Sequence, residues 1–362
     1  MNIGINKTVE IIKNISYKNL MKMLEKKEPT IHLPNNIKLT YINYGREGVV
    51  YKLGQYALKF YREKNHATNE LEIIKKYIIP MNGGLSDNFL KVYNLTNIFG
   101  HAVIIMELIE GNLQNWVLSK HSDNEWLIML FHVLCGILFM QCSMRIFHSD
   151  VRPKNILFSI IPEPITVKYV IKDKYTTINT TFSTNTFFKI ADFGKATGLN
   201  LKHNRHPRQS IKLFIESNAD LSHMRELYIR LAVDSLTYSH TLKDLIEIGK
   251  NDEYFKGYLK KKEQQINSYM PDDMKEPTLF RAVAYYLIEK KYFDLNNFPD
   301  TGKVHMPSQK IRDILDLFEI TKDSKSLVKL IGNIGNMINN PSLTSTTPNK
   351  EFIFECNWNL FI

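Results

Sequence analysis

The sequence contains few cysteines and no long apolar run. Its three cysteines, Cys135, Cys142 and Cys356, are too few and too irregularly spaced for a disulfide framework or a thiolate metal site. The N-terminal segment mixes apolar with charged residues and lacks the apolar core of a secretory signal. No uninterrupted apolar run reaches the roughly 18 residues of a membrane span. We therefore expect an intracellular, reducing compartment in which Cys135 and Cys142 are buried thiols.

The composition is that of a folded globular protein. Of 362 residues, 44% are hydrophobic and 11% are aromatic, which is enough for two separate cores. The formal charge of +10 favours acidic partners. However, the many Asn, Ile and Lys residues are also typical of an AT-rich genome, so the charge alone does not predict nucleic-acid binding, and we do not expect it.

Strand patterns come first along the chain and helical patterns follow. Alternating or apolar segments predict strands at 37–44, 49–52, 56–60 and 103–106. From Trp126 onwards, apolar residues recur at helical spacing. This order predicts an α+β protein with a small β-rich lobe and a larger helical lobe.

The same patterns predict the boundaries of these units. We expect an N-terminal helical extension over 1–35, the β-rich lobe over 36–108 and the helical lobe over 109–340, with an insertion at 159–185. Residues 341–362 are predicted to form a polar linker and an apolar C-terminal tail.

Two polar segments carry the chemistry. In residues 148–157, Asp150 and Asn155 lie five positions apart, behind a His and around Pro153. Downstream, Asp192 precedes Phe193 and Gly194 at the end of an apolar run. Phosphoryl transfer from ATP requires a proton acceptor for the attacking hydroxyl and oxygen ligands that hold a metal ion against the phosphates. These residue types meet that requirement.

The two segments resemble the catalytic loop and the Asp-Phe-Gly element of eukaryotic protein kinases. The resemblance implies a two-lobed kinase fold that uses ATP and Mg²⁺, with Mn²⁺ as an alternative ion. It makes Asp150 the catalytic base, while Asn155 and Asp192 are the metal ligands. Arg152 stands where relatives carry a Lys that contacts the γ-phosphate, and its guanidinium supplies the same charge.

The β-rich lobe extends the resemblance to the phosphate-binding residues. Gly45, Gly48 and Val50 match the glycine-rich loop, with Asn43 in place of its first glycine, although two such glycines also suit an ordinary hairpin. Lys59 resembles the strand lysine that contacts the α- and β-phosphates. Its expected carboxylate partner is Glu70, which the register favours over Glu72; the two cannot both face it.

Further residues are assigned by register alone. Met106 would be the gatekeeper, and Glu107 and Leu108 would present backbone groups to adenine. The side chains that would enclose the base are Val50, Ala57 and Leu157. Each of these residues is equally explained as part of the core. Asp220 resembles the Asp that braces the catalytic loop, and is equally explained as a helix N-cap.

The sequence departs from the family pattern in three ways. Ser149 replaces the Arg that pairs with a loop phosphate in relatives, so we expect no such switch. The insertion at 159–185 is predicted to be a β-hairpin that projects from the helical lobe. No Ala-Pro-Glu follows Asp192. A similar insertion and a similarly abbreviated segment after Asp192 occur in kinases of large cytoplasmic DNA viruses, a resemblance that would place the protein in host cytoplasm or in the virion.

We expect an active serine/threonine protein kinase. The alternatives are a small-molecule phosphotransferase of the same fold and a pseudokinase scaffold; Arg152 with Pro153 argues against the first, and the intact Lys59 and Asp192 argue against the second. The substrates would be proteins, with acidic or already phosphorylated segments if the basic stretch 195–212 docks them. The other interpretation of that stretch is a solvated basic loop.

Overall fold

The computed structural model describes most of the chain. The described ranges are 4–25, 28–44, 47–64, 69–80, 85–172, 176–198, 219–295, 304–320, 324–343 and 347–355. Cys356 and Gly45 lie outside them.

An antiparallel sheet of six strands forms the N-terminal lobe, in the order β1-β2-β3-β4-β6-β5. The elements in chain order are α1 (Ile5–Lys13), α2 (Tyr17–Leu24), β1 (Thr30–Leu33), β2 (Ile37–Tyr44), β3 (Gly48–Leu53), β4 (Tyr56–Lys64), α3 (Asn69–Ile73) with a π-helical turn (Ile74–Ile78), β5 (Val92–Ile98) and β6 (His101–Glu107). The two-residue period of the strands divides the side chains between two faces. Leu58 and Phe60 pack with α1 and α2, whereas Tyr61 and Ile104 pack with α3.

The N-terminal extension is part of this lobe. It is helical in α1 and α2, but residues 30–33 form β1, which pairs antiparallel with β2. The lobe therefore starts earlier than the predicted boundary at residue 36. Ile31 and Leu33 alternate with His32 and bury their side chains against the sheet core, a period that suits a strand and not a helix.

The second lobe is mainly helical. In chain order it contains β7 (Gly111–Asn112), α4 (Leu113–Trp116), α5 (Asp123–Phe139) with a π-helical turn (Met140–Met144), β8 (Ile146–Phe147), β9 (Ile156–Lys172), β10 (Thr177–Ile190), β11 (Thr197–Gly198), α6 (Ala219–Leu236), α7 (Leu242–Gly249), α8 (Glu253–Tyr269), α9 (Asp272–Glu289), α10 (Gln309–Ile320), α11 (Ser324–Ile338) and β12 (Lys350–Glu355). The α+β, two-lobed architecture expected from the sequence is confirmed.

Helix α5 is the centre of the second lobe. Ser122 begins it with a capping box, in which the Ser122 hydroxyl accepts from Glu125 N and Glu125 Oε2 accepts from Ser122 N at 2.8 Å. Every residue from Trp126 to Phe139 is buried, including Cys135. Cys142, in the π-helical turn that follows, is buried too, and both cysteines are thiols.

One helical segment in the described chain, Asp123–Met144, is long and apolar enough to cross a membrane. It was not predicted from the sequence, because polar residues interrupt its apolar run. However, 94% of its most apolar window is buried inside the protein. A core helix passes the same test, so the evidence for a membrane span is weak.

The insertion forms the predicted hairpin, but the prediction that it projects from the lobe is wrong. Strands β9 and β10 pair from Ile156 with Ile190 to Lys172 with Thr177. The C-terminal tail supplies β12, which pairs in parallel with β9. The rings of Tyr169, Phe182, Phe352, Phe354 and Phe131 of α5 then form one buried cluster. The insertion and the tail therefore belong to the core of the lobe.

Candidate active site

Lys59 and Glu70 form an ion pair between β4 and α3. Lys59 Nζ lies 2.6 Å from Glu70 Oε2, and Tyr61 donates its hydroxyl to the same oxygen. Lys59 and Tyr61 share one face of β4, so the two-residue strand period directs both toward α3. Glu70 is buried and Glu72 is exposed, so Glu70 is the partner of Lys59.

The charges around Lys59 keep it protonated. Burial lowers the pKa of Lys59, but Glu70 and then Asp192 raise it, and the net result is a pKa above the usual value. Lys59 is therefore protonated at neutral pH, in contact with Glu70 and within the electrostatic influence of Asp192.

Asp150 lies in the loop between β8 and β9 and is surrounded by donors. Arg152 Nη2 lies 2.7 Å from Asp150 Oδ2, and Lys195 Nζ lies 3.3 Å from Oδ1. Asn155 Nδ2 donates to the Asp150 carbonyl at 2.9 Å. Burial raises the pKa of Asp150, but Arg152 and Lys195 outweigh it and hold the pKa below its usual value. The carboxylate is therefore ionised at neutral pH and oriented by its partners.

Backbone contacts at Ala191 place this loop beside Asp192. His148 Nε2 lies 3.0 Å from the Ala191 carbonyl oxygen, and Ala191 N donates to Asn155 O at 3.0 Å. The two contacts connect the Asp150 loop to the residue before Asp192. Asp192 itself has φ 67°, in the left-handed region, which a non-glycine residue adopts at some conformational cost.

The carboxylates of Glu47, Glu70 and Asp192 lie close together. One oxygen each from Glu47, Glu70 and Asp192 lie within 4.8 Å of one another. Glu47 comes from the glycine-rich loop, and its carbonyl accepts from Arg62 N at 2.9 Å. A Cβ at position 194 would lie 3.2 Å from Glu47 Oε1, so a larger residue there would require a small shift of the Glu47 side chain. The sequence analysis did not assign Glu47, and its position between two glycines was the only signal for it.

The donor set fits a hard divalent cation. Asn155 uses its Nδ2 as a donor to Asp150, which leaves its Oδ1 as the atom able to face a metal. Asp192 and Glu47 supply carboxylate oxygens that lie within 4.8 Å of each other. Amide and carboxylate oxygens are the ligands that Mg²⁺ and Mn²⁺ prefer.

Two of the residues predicted to lie around adenine are neighbours in the N-terminal sheet. Ala57 pairs with Met106 and is buried, while Val50, Leu108 and Leu157 are partly exposed. Asn43, exposed at the end of β2, accepts from Tyr44 N through its side chain.

Gly48 has a structural role in the N-terminal sheet. A Cβ on Gly48 would lie 2.3 Å from the carbonyl oxygen of Phe60, so glycine is required for β3 to approach β4. This requirement holds whether or not a phosphate binds nearby.

Glu107 also has a side-chain contact that the sequence analysis missed. Lys189 Nζ lies 2.8 Å and 2.7 Å from its two carboxylate oxygens, and Lys91 N donates to Glu107 Oε1 at 2.6 Å. Lys189 sits three residues before Asp192 and its side chain is buried. The pair therefore joins the last residue of β6 to the end of β10. The available sequence signal for this pair was a lysine placed between Phe188 and Ile190 in an apolar segment.

Two predicted features lie wholly or partly outside the described residues. Asp220 belongs to α6, but its side chain is not among the described ones. Of the basic stretch 195–212, the structure describes residues 195–198, and Lys195 contacts Asp150.

Comparison with known proteins finds matches to a family model, to a curated relative and to a solved structure. The family model described as the protein kinase domain matches residues 40–214. A curated relative, an uncharacterized protein 035R of Invertebrate iridescent virus 3, is 26% identical over 82 residues, which is 23% of this chain and 7% of that protein's length. A crystal structure of a kinase domain has a TM-score of 0.42 at 17% identity and covers 88% of this chain and 98% of that one.

Proposed function

The chain carries a protein kinase domain of the eukaryotic type, and on that premise we propose that it is an active protein kinase that transfers the γ-phosphate of ATP to Ser and Thr hydroxyls. The observation that carries the proposal is the Lys59–Glu70 pair at 2.6 Å, with Asp192 acting on the same lysine charge. A pseudokinase that acts only as a scaffold does not need this ion pair, and it does not need an ionised carboxylate at Asp150.

Each residue has a defined part in the proposed transfer. Lys59, held by Glu70, neutralises charge on the phosphates. Asp150 orients the substrate hydroxyl and accepts its proton, and Arg152 and Lys195 keep it ionised until then. Asn155 and Asp192 would hold Mg²⁺, or Mn²⁺, which supplies positive charge against the transferring phosphoryl group.

The substrate class is protein, and the proposal includes acidic or already phosphorylated segments. The segment 195–212 supports this proposal, since it contains five Lys and Arg residues and no Asp or Glu. The virus-encoded relative supports a viral origin, with host cytoplasm or the virion as the proposed location.

The test is a transfer assay with the purified chain, γ-labelled ATP, Mg²⁺ and a mixture of unrelated proteins, followed by phosphoamino-acid analysis. We expect label on Ser and Thr that is lost on chelation of the metal and in Asp150→Asn. Label on a small metabolite alone would indicate the small-molecule phosphotransferase. Tight ATP binding without any transfer would indicate the scaffold, and label on Tyr alone would contradict the Ser/Thr assignment.

A further inference from the structure

A cavity of about 610 Å³ lies directly beside the Asp150 loop. Its walls come from the segment 152–154, from the end of α4 and from helices α6 and α9. Apolar side chains, including Val117, Leu231 and Val304, form part of its lining. The cavity is distinct from the side of the cleft that holds Lys59 and Glu70, and none of the roles assigned above uses it as a whole.

The lining of this cavity is strongly basic. Four cationic side chains reach it: Arg152, Lys154, Arg230 and Arg281. Among its described lining residues the one acidic side chain is Asp234, which lies 3.7 Å from Arg281. Arg152 is also paired with Asp150, so four cations face two carboxylates. The cavity keeps a positive excess, and concave walls with low dielectric concentrate such a field.

Arg152 connects the cavity to the reacting position. It lines the cavity, and its Nη2 lies 2.7 Å from Asp150 Oδ2. A group bound among these cations can therefore contact the same arginine that contacts Asp150. The polypeptide that carries the hydroxyl also carries side chains next to it, and these lie close enough to reach the cavity during the reaction.

We propose that this cavity binds an anionic side chain of the protein substrate, close to the phosphorylated hydroxyl, and thereby makes the enzyme selective for acidic segments. The inference rests on the proposed kinase function and names its substrate class. Both a carboxylate and a phosphate ester match the forked guanidinium groups of Arg152 and Arg281. Lys154 of the same loop and Arg281 of α9 extend the recognition beyond Arg152, and both are exposed enough to meet a ligand.

The experiment compares three peptides that share one central Ser and differ in flanking residues, which are Asp, phosphoserine or Ala. The enzyme is the full chain, either unchanged or as the double variant Lys154→Gln/Arg281→Gln. The matched control is Lys260→Gln/Lys261→Gln, which removes the same net charge from the exposed surface of α8. Lys154→Arg tests whether charge at that position is sufficient.

We expect kcat/KM for the better anionic peptide to exceed that for the Ala peptide by about tenfold at low salt, as two half-exposed charge pairs would give. This preference should fall as the salt concentration rises, because added ions screen the attraction between the exposed cations of the enzyme and the anionic side chain of the peptide. The Lys154→Gln/Arg281→Gln variant should lose the preference while its kcat/KM for the Ala peptide stays within about twofold. Lys154→Arg and the α8 control should retain the preference. The Asp and phosphoserine arms separate a carboxylate from a phosphate ligand.

Binding of the same peptides, measured by fluorescence anisotropy, gives a readout that does not depend on catalysis. Transfer to the Ala peptide tests the kinase function itself, so equal rates on all three peptides, with equal binding, overturn the cavity proposal alone. A loss of preference in the α8 control as large as that in the cavity variant also overturns it, because it shows an effect of net charge. Absence of transfer to every peptide overturns the kinase function, and in that case equal binding of acidic and Ala peptides overturns the cavity as well.

Discussion

Replacing Lys189 by Met should destabilise the second lobe by about 3 kcal/mol. Lys189 makes two contacts with Glu107, at 2.8 Å and 2.7 Å, and the two side chains are 7% and 16% exposed. Removing one partner of such a buried pair leaves an uncompensated charge and costs roughly 3–5 kcal/mol. The lower end applies here, because Glu107 keeps its hydrogen bond from Lys91 N.

The magnitude can be separated from simple loss of packing by a double-mutant cycle. In Lys189→Met/Glu107→Leu both charges are gone, so most of the lost free energy of unfolding should return, giving a coupling energy of about 2 kcal/mol. The measurement is urea unfolding followed by tryptophan fluorescence. Trp116 reports on this region, because its ring lies 5.2 Å from that of Phe188, next to Lys189.

Lys168→Met is the matched control. Its amine lies 2.7 Å from Glu351 Oε1, as close as the buried pair, but the two side chains are 38% and 41% exposed. Solvent screening should limit its effect to less than about 1 kcal/mol. Equal losses in the two single variants, or a double variant as unstable as the sum of its singles, would refute the argument from burial.

Three further predictions concern catalysis, acid stability and the hairpin. Lys59→Met and Asp192→Ala should each lower kcat at least about 10²-fold, measured in the transfer assay on protein that still unfolds cooperatively; full activity in either contradicts the site. Lys59→Met should also lower the melting temperature, because it leaves the buried Glu70 carboxylate without its lysine partner. His132 is fully buried among aromatic rings and burial lowers its pKa from 6.5 to about 3. The unfolded chain therefore binds the proton more readily, and stability present above pH 6.5 should fall by about 2 kcal/mol at pH 5. Urea midpoints should show that His132→Phe removes this loss, and an unchanged pH profile would contradict it. Deleting 162–185 should abolish cooperative thermal unfolding, because it removes the partner of β12; a soluble deletion with normal nucleotide binding would show that the hairpin is dispensable.

The sequence by itself determined the order of the lobes and the placement of most chemical groups in their segments. Strand and helix periods are local properties, so the β-rich lobe and the buried helix α5 were predictable from residue spacing. Helix geometry predicted that only one of Glu70 and Glu72 can pair with Lys59, since residues two apart face different directions. The choice of Glu70 came from the register of the family that the sequence resembles. The structure places Glu70 2.6 Å from Lys59.

Tertiary structure alone decided what the inserted and terminal segments do. The strands of 156–172 and 177–190 were readable as a hairpin, but whether a hairpin projects or packs depends on a partner surface far away in sequence. That partner is β12, whose Phe352 and Phe354 bury against β9. A six-residue strand carries no sequence signal for the strand that it will join, so the tail was predicted only as apolar.

The charges that complete the site were likewise decided by tertiary contact. Glu47 meets Asp192 because two segments approach at Gly194, and Glu107 meets Lys189 across 82 positions of chain. The cationic cavity gathers Lys154 and Arg281 from separate elements in the same way. Local patterns specify which backbone a residue prefers, whereas electrostatic pairs and cavities arise between segments that only the folded chain brings together.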